Sequence, residues 1–227
     1  MYIKFKPLAV FWRMIIALGG AVSHLLNFNI FSGHPDLSKI QYFINISSIL
    51  VVVYYFVLSF WQINDTKNEK TCLWPWLKGT IILTSCSTCL LGHLFVNNNT
   101  IPDWNSHFVI NTLYYIIPIM VIIDWILFDK KGNYKIYFPL IWCIPSFLYA
   151  VYVYVSVLVL QKKVGTVANS MYPYSFFEID ANGIMHTVAM MFMFAVIIVG
   201  LSFLFYGVDM LPNKLNELLS KNKTVEE

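Results

Sequence analysis

Six stretches of mostly apolar residues constrain the fold of this chain more than any other feature. Each is about 20 residues long, which is enough for a helix to cross the hydrocarbon core of a bilayer. The stretches lie at about 8–28, 40–62, 74–96, 107–128, 136–160 and 183–206. They predict an all-α, polytopic membrane protein in which residues 1–227 form one domain of six transmembrane helices.

The composition supports this class of protein. Charged residues make up 12% of the chain and hydrophobic residues 58%, whereas soluble domains contain about 25% and about 45–50%. The formal net charge of +3 is too small and too scattered to indicate a nucleic-acid partner. The first apolar stretch lacks a small-x-small cleavage site, so we expect it to remain as a membrane anchor.

The basic residues predict the orientation in the membrane. The N-terminus, the second and fourth loops and the C-terminus carry, in or beside them, 12 of the 15 lysine and arginine residues. Cytoplasmic segments are enriched in these residues, so both termini should be cytoplasmic. Residues 207–227 then form a cytoplasmic tail, in which leucines at helical spacing predict an amphipathic helix on the membrane surface.

Two charged residues lie near the cytoplasmic ends of predicted spans. Arg13 is about one turn inside the first span, and we expect its long side chain to reach the interface. Asp124 is near the end of the fourth span, where it is expected to cap the helix or to pair with Lys130 or Lys131.

The fourth span also carries polar residues along its length, among them Asn111 and Tyr114. Unpaired polar groups next to lipid cost several kcal/mol, so this span is expected to be central and to lie beside a polar cavity. All five histidines, the start of the second span and the aromatic loop before the sixth span fall at the same outer level. We therefore predict an outward-facing pocket lined by Asn45, Ser47, His93, Asn111, Tyr114, Tyr172, Tyr174 and His186.

A possible metal motif has a simpler interpretation. Cys86, Cys89 and His93 share one helical face, which would place three soft ligands together. The surrounding run of small residues favours close helix packing instead, and no second pair of cysteines or histidines completes a site. We predict neither a metal site nor a cofactor.

Three patches occur in the order and spacing of a known family. Tyr42-Phe43-x-x-x-Ser47 opens span two, Pro118 with Asp124-Trp125-x-x-Phe128-Asp129 closes span four, and Tyr172-Pro173-Tyr174-x-Phe176 precedes span six. The chain thus resembles the bacterial (Pr-six-Pr) branch of the six-span androgen-induced-gene family, which includes the animal androgen-dependent TFPI-regulating protein. The resemblance covers spans two to six. It implies structural roles for Pro118, Asp124, Trp125 and Pro173.

The resemblance also implies an activity that this chain cannot perform in the same way. Animal members are threonine hydrolases of fatty acid esters of hydroxy fatty acids. Their threonine falls here on Ile44, and their histidine falls on Leu113 or Tyr114. Isoleucine has no nucleophilic oxygen, and a neutral tyrosine is a poor general base near pH 7. Whether the chain is an enzyme therefore stays open.

Three explanations of this departure remain, which we rank in the following order. The chain has lost hydrolysis and kept a lipid-binding cavity, or it uses substitute catalytic residues, or the bacterial branch never shared the animal chemistry. The candidate substitutes are Ser47 or Ser48 with His93 or His186.

The functional expectation is a multi-pass protein of the bacterial plasma membrane that binds a lipid or another acyl-chain ligand in its outward-facing cavity. Hydrolysis of lipid esters and transport of small molecules are the alternatives. Transport is disfavoured because the spans show neither paired charges nor evident inverted repeats. The sequence does not predict an oligomeric state.

Overall fold

The computed structural model describes residues 3, 5–65, 71–95, 104–165 and 170–223, and it describes only the backbone of residues 95, 104–106 and 214–223. All regular secondary structure in this part of the chain is helical. The long helices are α1 (Lys6–Asn27), α2 (Phe43–Asn64), α3 (Pro75–Phe95), α4 (residues 104–128), α5 (residues 138–159) and α6 (Ile184–Lys223).

Five of these helices are long and apolar enough to cross a membrane, which confirms the all-helical membrane class. They are α1, α2, α4, α5 and α6. The third predicted span coincides with α3, but its mean hydropathy is lowered by Lys78, His93 and a run of serines and threonines. Four of the other five spans begin and end within three residues of the predicted stretches, and the last, Ile184–Asn213, ends seven residues after the predicted 206.

Consecutive helices run antiparallel, which gives the bundle two distinct ends. Arg13 in the first half of α1 contacts Gln62 near the end of α2, whereas His24 near the end of α1 contacts Ser48 near the start of α2. Arg13 also contacts Asp124 near the end of α4. We call the end that contains Arg13 the terminal end and the opposite end the far end.

Two irregularities shape the central helices. Helix α4 consists of Trp104–Asn111, a π-helical turn at Thr112–Ile116 and Ile117–Phe128. The Ile117 N–H donates to the Thr112 carbonyl, and this wider turn comes just before Pro118, which has no N–H to continue the α-helical pattern. Helix α5 likewise joins Phe138–Tyr154, with Pro145 inside it, to a π-helical turn at Val155–Val159.

The buried apolar residues form two clusters, one toward each end. The cluster toward the terminal end centres on Trp125 and Trp142. The cluster at the far end combines Phe43 and Tyr149 with the buried aromatic residues of the loop between α5 and α6. We call residues 170–178 of that loop the roof loop; it contains a short 3-10 helix, Ser175–Phe177.

Helix α6 continues past its apolar part. It runs without interruption through Pro212 to Lys223, so residues 207–223 continue this helix. Leucine and lysine, which are frequent here, are good helix formers and favour this continuation. Residues 224–227 of the predicted tail lie outside the described residues.

Candidate functional site

Four charged side chains meet inside the terminal end of the bundle. Arg13, Lys78 and Asp124 are completely buried, and Asp129 is 3% exposed. The Arg13 Nε lies 2.8 Å from Asp124 Oδ1, and its Nη2 lies 2.8 Å from Asp129 Oδ1. Lys78 Nζ pairs with the other oxygen of Asp124 and lies 3.4 Å from Asp129 Oδ2. We call these four residues the charge cluster.

Neutral groups add hydrogen bonds to Arg13, Lys78 and Asp124, whereas Asp129 Oδ2 accepts none from the described residues. Arg13 Nη1 donates to Gln62 Oε1 at 2.7 Å and to the Thr71 carbonyl at 2.9 Å. Lys78 Nζ donates to the Tyr55 hydroxyl at 2.9 Å, and that hydroxyl donates to Asp124 Oδ2 at 3.1 Å. Two positive and two negative charges therefore compensate one another, which is the condition for burying charges in a low-dielectric interior.

The charge cluster corrects three sequence-based expectations. Arg13 does not extend to the interface but points into the bundle, because carboxylates on another helix offer it partners there. Asp124 pairs with Arg13 and Lys78, not with Lys130 or Lys131. Paired charges do occur within the apolar helices, so their predicted absence no longer argues against transport.

The loop after α4 covers the charge cluster. Lys131 Nζ lies 3.4 Å above the Trp125 ring and donates to the Trp125 carbonyl at 2.7 Å. Burial lowers the pKa of Lys131 to about 8. The backbone N–H groups of Gly132 and Tyr134 both donate to Asp209 Oδ2 at 3.0 Å, which attaches this loop to α6.

The far end contains a cavity of about 70 Å³ between α3, α5, α6 and the roof loop. Its lining is almost entirely apolar and aromatic, and two serines, Ser87 and Ser146, are its polar exceptions beside two tyrosines. The other lining residues are Phe43, Leu90, Leu91, Phe147, Tyr149, Tyr174, Phe176, Phe177, Met191, Phe194, Ala195 and Ile198. Such a lining suits a hydrocarbon group and offers few partners to a polar ligand.

Hydrogen bonds to Gln41 and Ile44, near the start of α2, and a ring contact with α6 connect the roof loop and its neighbours to the bundle. The Ile44 N–H donates to the Tyr174 hydroxyl at 3.4 Å, and the Tyr149 hydroxyl donates to the Gln41 carbonyl at 3.0 Å. The Gly165 N–H donates to Gln41 Oε1 at 2.8 Å. Phe176 stacks on Phe194 of α6 with ring centroids 4.7 Å apart.

The candidate serines have partners other than the predicted ones. Ser48 Oγ lies 3.0 Å from His24 Nε2 and 2.7 Å from the Ile44 carbonyl, to which it donates. Ser47 shares a hydrogen bond with the Thr88 hydroxyl. His93 and His186 are both exposed on the outside of the bundle, so the histidine brought to a candidate serine is His24.

The predicted polar pocket is not formed by its eight residues. Tyr174 lines the cavity, whereas His93, Asn111 and His186 are exposed. Asn45 accepts a hydrogen bond of 2.9 Å from Asn27. Ser47 bonds to Thr88, whereas Tyr114 and Tyr172 join Tyr174 in the far-end aromatic cluster. Asn45 and Ser47 pair with polar side chains beside them, and aromatic residues make up much of the cavity lining.

The residues at the positions of the family's catalytic pair are also buried among apolar groups. Ile44 is 2% exposed and Leu113 is 1% exposed. The four cysteines are all free thiols. Within the described ranges, histidine, cysteine and acidic side chains do not gather in a group of three that could hold a metal ion.

Comparisons of the chain with protein-family models, with curated proteins and with solved structures found no match. The geometry of the two ends therefore carries the functional argument.

Proposed function

We propose that this protein crosses the membrane six times, with both termini in the cytoplasm, and binds an acyl chain in the far-end cavity. The observation that carries the proposal is the cavity beneath the roof loop, whose lining is dominated by aromatic and aliphatic side chains. Transfer of a methylene group from water to such a lining is worth about 0.8 kcal/mol. In this orientation the charge cluster lies toward the cytoplasm and the roof loop lies on the outer side.

A ligand would reach the cavity from the bilayer. The cavity volume of about 70 Å³ holds only part of a long chain, so the rest must lie along the bundle surface. Helix α6 borders the cavity and is the least enclosed of the five candidate spans. In its apolar 18-residue stretch 17% of the residues are buried, whereas 33–56% are buried in the corresponding stretches of the other four. The side facing lipid between α5 and α6 is therefore the natural entrance.

The resemblance to the Pr-six-Pr branch is part of this proposal. Pro118, Asp124, Trp125 and Pro173 are all buried, which suits the structural roles that the resemblance implies for them. The threonine and histidine of the family are replaced here by residues that cannot act in their place. This fits a protein that binds a lipid in its cavity without hydrolysing it.

The test uses two alanines on α6. Ala195 lines the cavity, whereas Ala189 is exposed on the same helix. Protein purified in mild detergent should contain a co-purified acyl chain that solvent extraction and mass spectrometry detect. Ala195→Phe should reduce its amount severalfold by filling the cavity, and Ala189→Phe should not. Absence of an acyl chain from the unmodified protein, together with failure to bind added fatty acid, would contradict the proposal.

Hydrolysis of a lipid ester is a second candidate function, and the 3.0 Å contact between Ser48 Oγ and His24 Nε2 favours it. A serine hydroxyl that donates to an imidazole is the arrangement of a nucleophile and its general base. This arrangement requires the Ser48 proton to turn from the Ile44 carbonyl to His24 Nε2. Both residues are buried and neither lines the cavity, so an ester would need another path to them. A fluorophosphonate probe should label the protein but not Ser48→Ala; lack of labelling, with no ester turnover in liposomes, would exclude this function.

A further inference from the structure

Two buried hydroxyls where α1 packs against α4 have no partner. Ser23 Oγ and Thr112 Oγ1 make no hydrogen bond to any described residue. Hydroxyls inside a helix usually donate to the carbonyl one turn earlier. Six other buried serines and threonines do so, namely Ser48, Ser59, Thr80, Thr84, Ser87 and Thr88. Ser23 and Thr112 therefore keep their protons for another acceptor.

The packing of α1 places these two hydroxyls at one level of the bundle. A Cβ added to Gly20 would contact Val52 of α2 and lie 3.9 Å from Ile117 Cδ1 of α4. Ser23 lies about one turn after Gly20 on the same face of α1. Thr112 lies one π-helical turn before Ile117, whose N–H donates to the Thr112 carbonyl. Because α1 and α4 run in opposite directions, both hydroxyls lie about one turn from the Gly20 contact toward the far end.

His24 contributes a third unpaired atom at this level. Its Nδ1 makes no hydrogen bond to a described residue, whereas its Nε2 lies 3.0 Å from Ser48 Oγ. Ser48 donates its own proton to the Ile44 carbonyl, so its oxygen is free to accept the Nε2 proton of His24. In the neutral imidazole Nδ1 then carries a lone pair. The level offers two donors, which are the hydroxyls, and one acceptor, which is Nδ1.

We propose that Ser23, His24 and Thr112 form a binding site for one water molecule, which accepts a hydrogen bond from each hydroxyl and donates one to His24 Nδ1. A buried water typically makes about three hydrogen bonds. Ser23 is fully buried, and His24 and Thr112 are 7% and 6% exposed. A neutral ligand suits the site because its three side chains have no ion pair or hydrogen bond with a charged group of the described chain, and a buried ion without a counter-charge is costly.

The bound water also determines the tautomer of His24. By donating to Nδ1 it keeps the ring proton on Nε2, from which the proton is shared with Ser48. Ser48 is then the acceptor, which is the reverse of the direction that a serine nucleophile and its base require. None of the three water-binding residues lines the far-end cavity, so the inference does not depend on acyl-chain binding.

Solid-state NMR of the reconstituted protein with isotope-labelled histidine tests the site directly. Comparison with His24→Gln assigns the His24 signals. The unmodified protein should show an unprotonated Nδ1, a protonated Nε2 and transfer of magnetisation from water to Nδ1. Ser23→Ala combined with Thr112→Val should reduce this transfer severalfold, whereas Thr112→Ser, which keeps the hydroxyl, should retain it. Thr84→Val removes a buried hydroxyl that is paired within α3 and should leave the transfer unchanged.

The stability of Thr112→Val gives an independent test by its sign. In a hydrated site the change removes a hydrogen bond to the water, so the equilibrium constant of unfolding in SDS should rise about fivefold. In a dry site it would remove an unpaired hydroxyl, and the constant would fall. Valine and threonine have similar helix propensities, so the sign reports on hydration.

Absence of transfer from water to His24 in the unmodified protein, or stabilisation by Thr112→Val, would overturn the inference and show that the two hydroxyls are buried dry. The proposed binding of an acyl chain would survive either outcome, because it concerns a different part of the far end.

Discussion

The two ends of the bundle differ in how their buried polar groups are paired. At the terminal end, Arg13, Lys78, Asp124 and Asp129 are buried together, and their charges are compensated within the cluster. At the far end, aromatic side chains surround a cavity in which the Ser146 hydroxyl has no partner within the described chain. At the terminal end the charges are matched, although Asp129 Oδ2 accepts no hydrogen bond within the described chain, and at the far end a hydroxyl is left unpaired.

The difference follows from the cost of burial. An uncompensated charge in a low-dielectric interior costs several kcal/mol, so the cluster exists only if its members neutralise one another. An unpaired hydroxyl costs about 1–3 kcal/mol, which a fold can tolerate if a ligand offsets it. Under the proposed function, the terminal end stabilises the bundle and the far end binds the ligand.

The largest expected effect comes from removing one charge at the terminal end. Asp124→Ala leaves Arg13 and Lys78 with one carboxylate between them, and the free energy of unfolding should fall by about 3–5 kcal/mol. Asp180→Ala removes an exposed carboxylate at the far end and should change it by less than about 0.5 kcal/mol. Denaturation by SDS from mixed micelles measures both; similar values for the two variants would contradict the role of the cluster.

A double-mutant cycle tests whether Arg13 and Asp124 act as a pair. Arg13→Met and Asp124→Leu should each be strongly destabilising alone, because each leaves an unmatched charge. Their combination leaves Lys78 and Asp129, which lie 3.4 Å apart, as a neutral pair. The double variant should therefore be more stable than additivity predicts by about 2–3 kcal/mol. Strictly additive costs would show that Arg13 and Asp124 do not act as a pair.

At the far end the expected effects are smaller. Gly165 has φ of +88°, and an added Cβ would lie 3.0 Å from the Tyr42 ring and 3.2 Å from the Pro173 Cα. Gly183 has φ of +77° with nothing within 4 Å of the added atom. Both Gly→Ala variants incur about 1–3 kcal/mol of backbone strain, but only Gly165→Ala should also reduce the amount of bound acyl chain. Equal ligand content in the two variants would show that the packing of Gly165 against Tyr42 and Pro173 does not affect binding.

The smallest effect concerns pH. The folded protein holds the pKa of Lys131 at about 8, below its ordinary value of 10.5, because the side chain is partly buried. Between these two values the unfolded chain binds more protons, so stability should rise with pH. Lys131→Met should reduce that rise in thermal unfolding from pH 8 to pH 10. Lys135→Met, at an exposed position, should retain it.

The positions of the helices could be predicted from the sequence because apolar length is a local property. The predicted span at 107–128 coincides with the end of α4 at Phe128, and the span at 40–62 coincides with α2, Phe43–Asn64. The membrane-spanning class follows in the same way. None of these inferences required knowledge of which helices are neighbours.

Which side chains meet at each end of the bundle could not be predicted, because this depends on which face each helix turns toward the interior. Arg13 finds its partners 49 to 116 residues away along the chain. Nothing in the local sequence distinguishes a buried His24 from an exposed His93. One signal did exist: α1 and α2 are consecutive and antiparallel, which places His24 and Ser48 at the same level.

The most direct test of the account is photo-crosslinking with a fatty acid that carries a diazirine in its chain, followed by mass-spectrometric mapping. Met191 lines the cavity, whereas its neighbour Phe192 is 70% exposed on the lipid-facing side of α6. The account predicts labelling at Met191 and Phe194 that Ala195→Phe suppresses. Labelling restricted to Phe192 and other exposed residues, unchanged by Ala195→Phe, would contradict the account. It would show that the fatty acid contacts the protein only from the surrounding lipid.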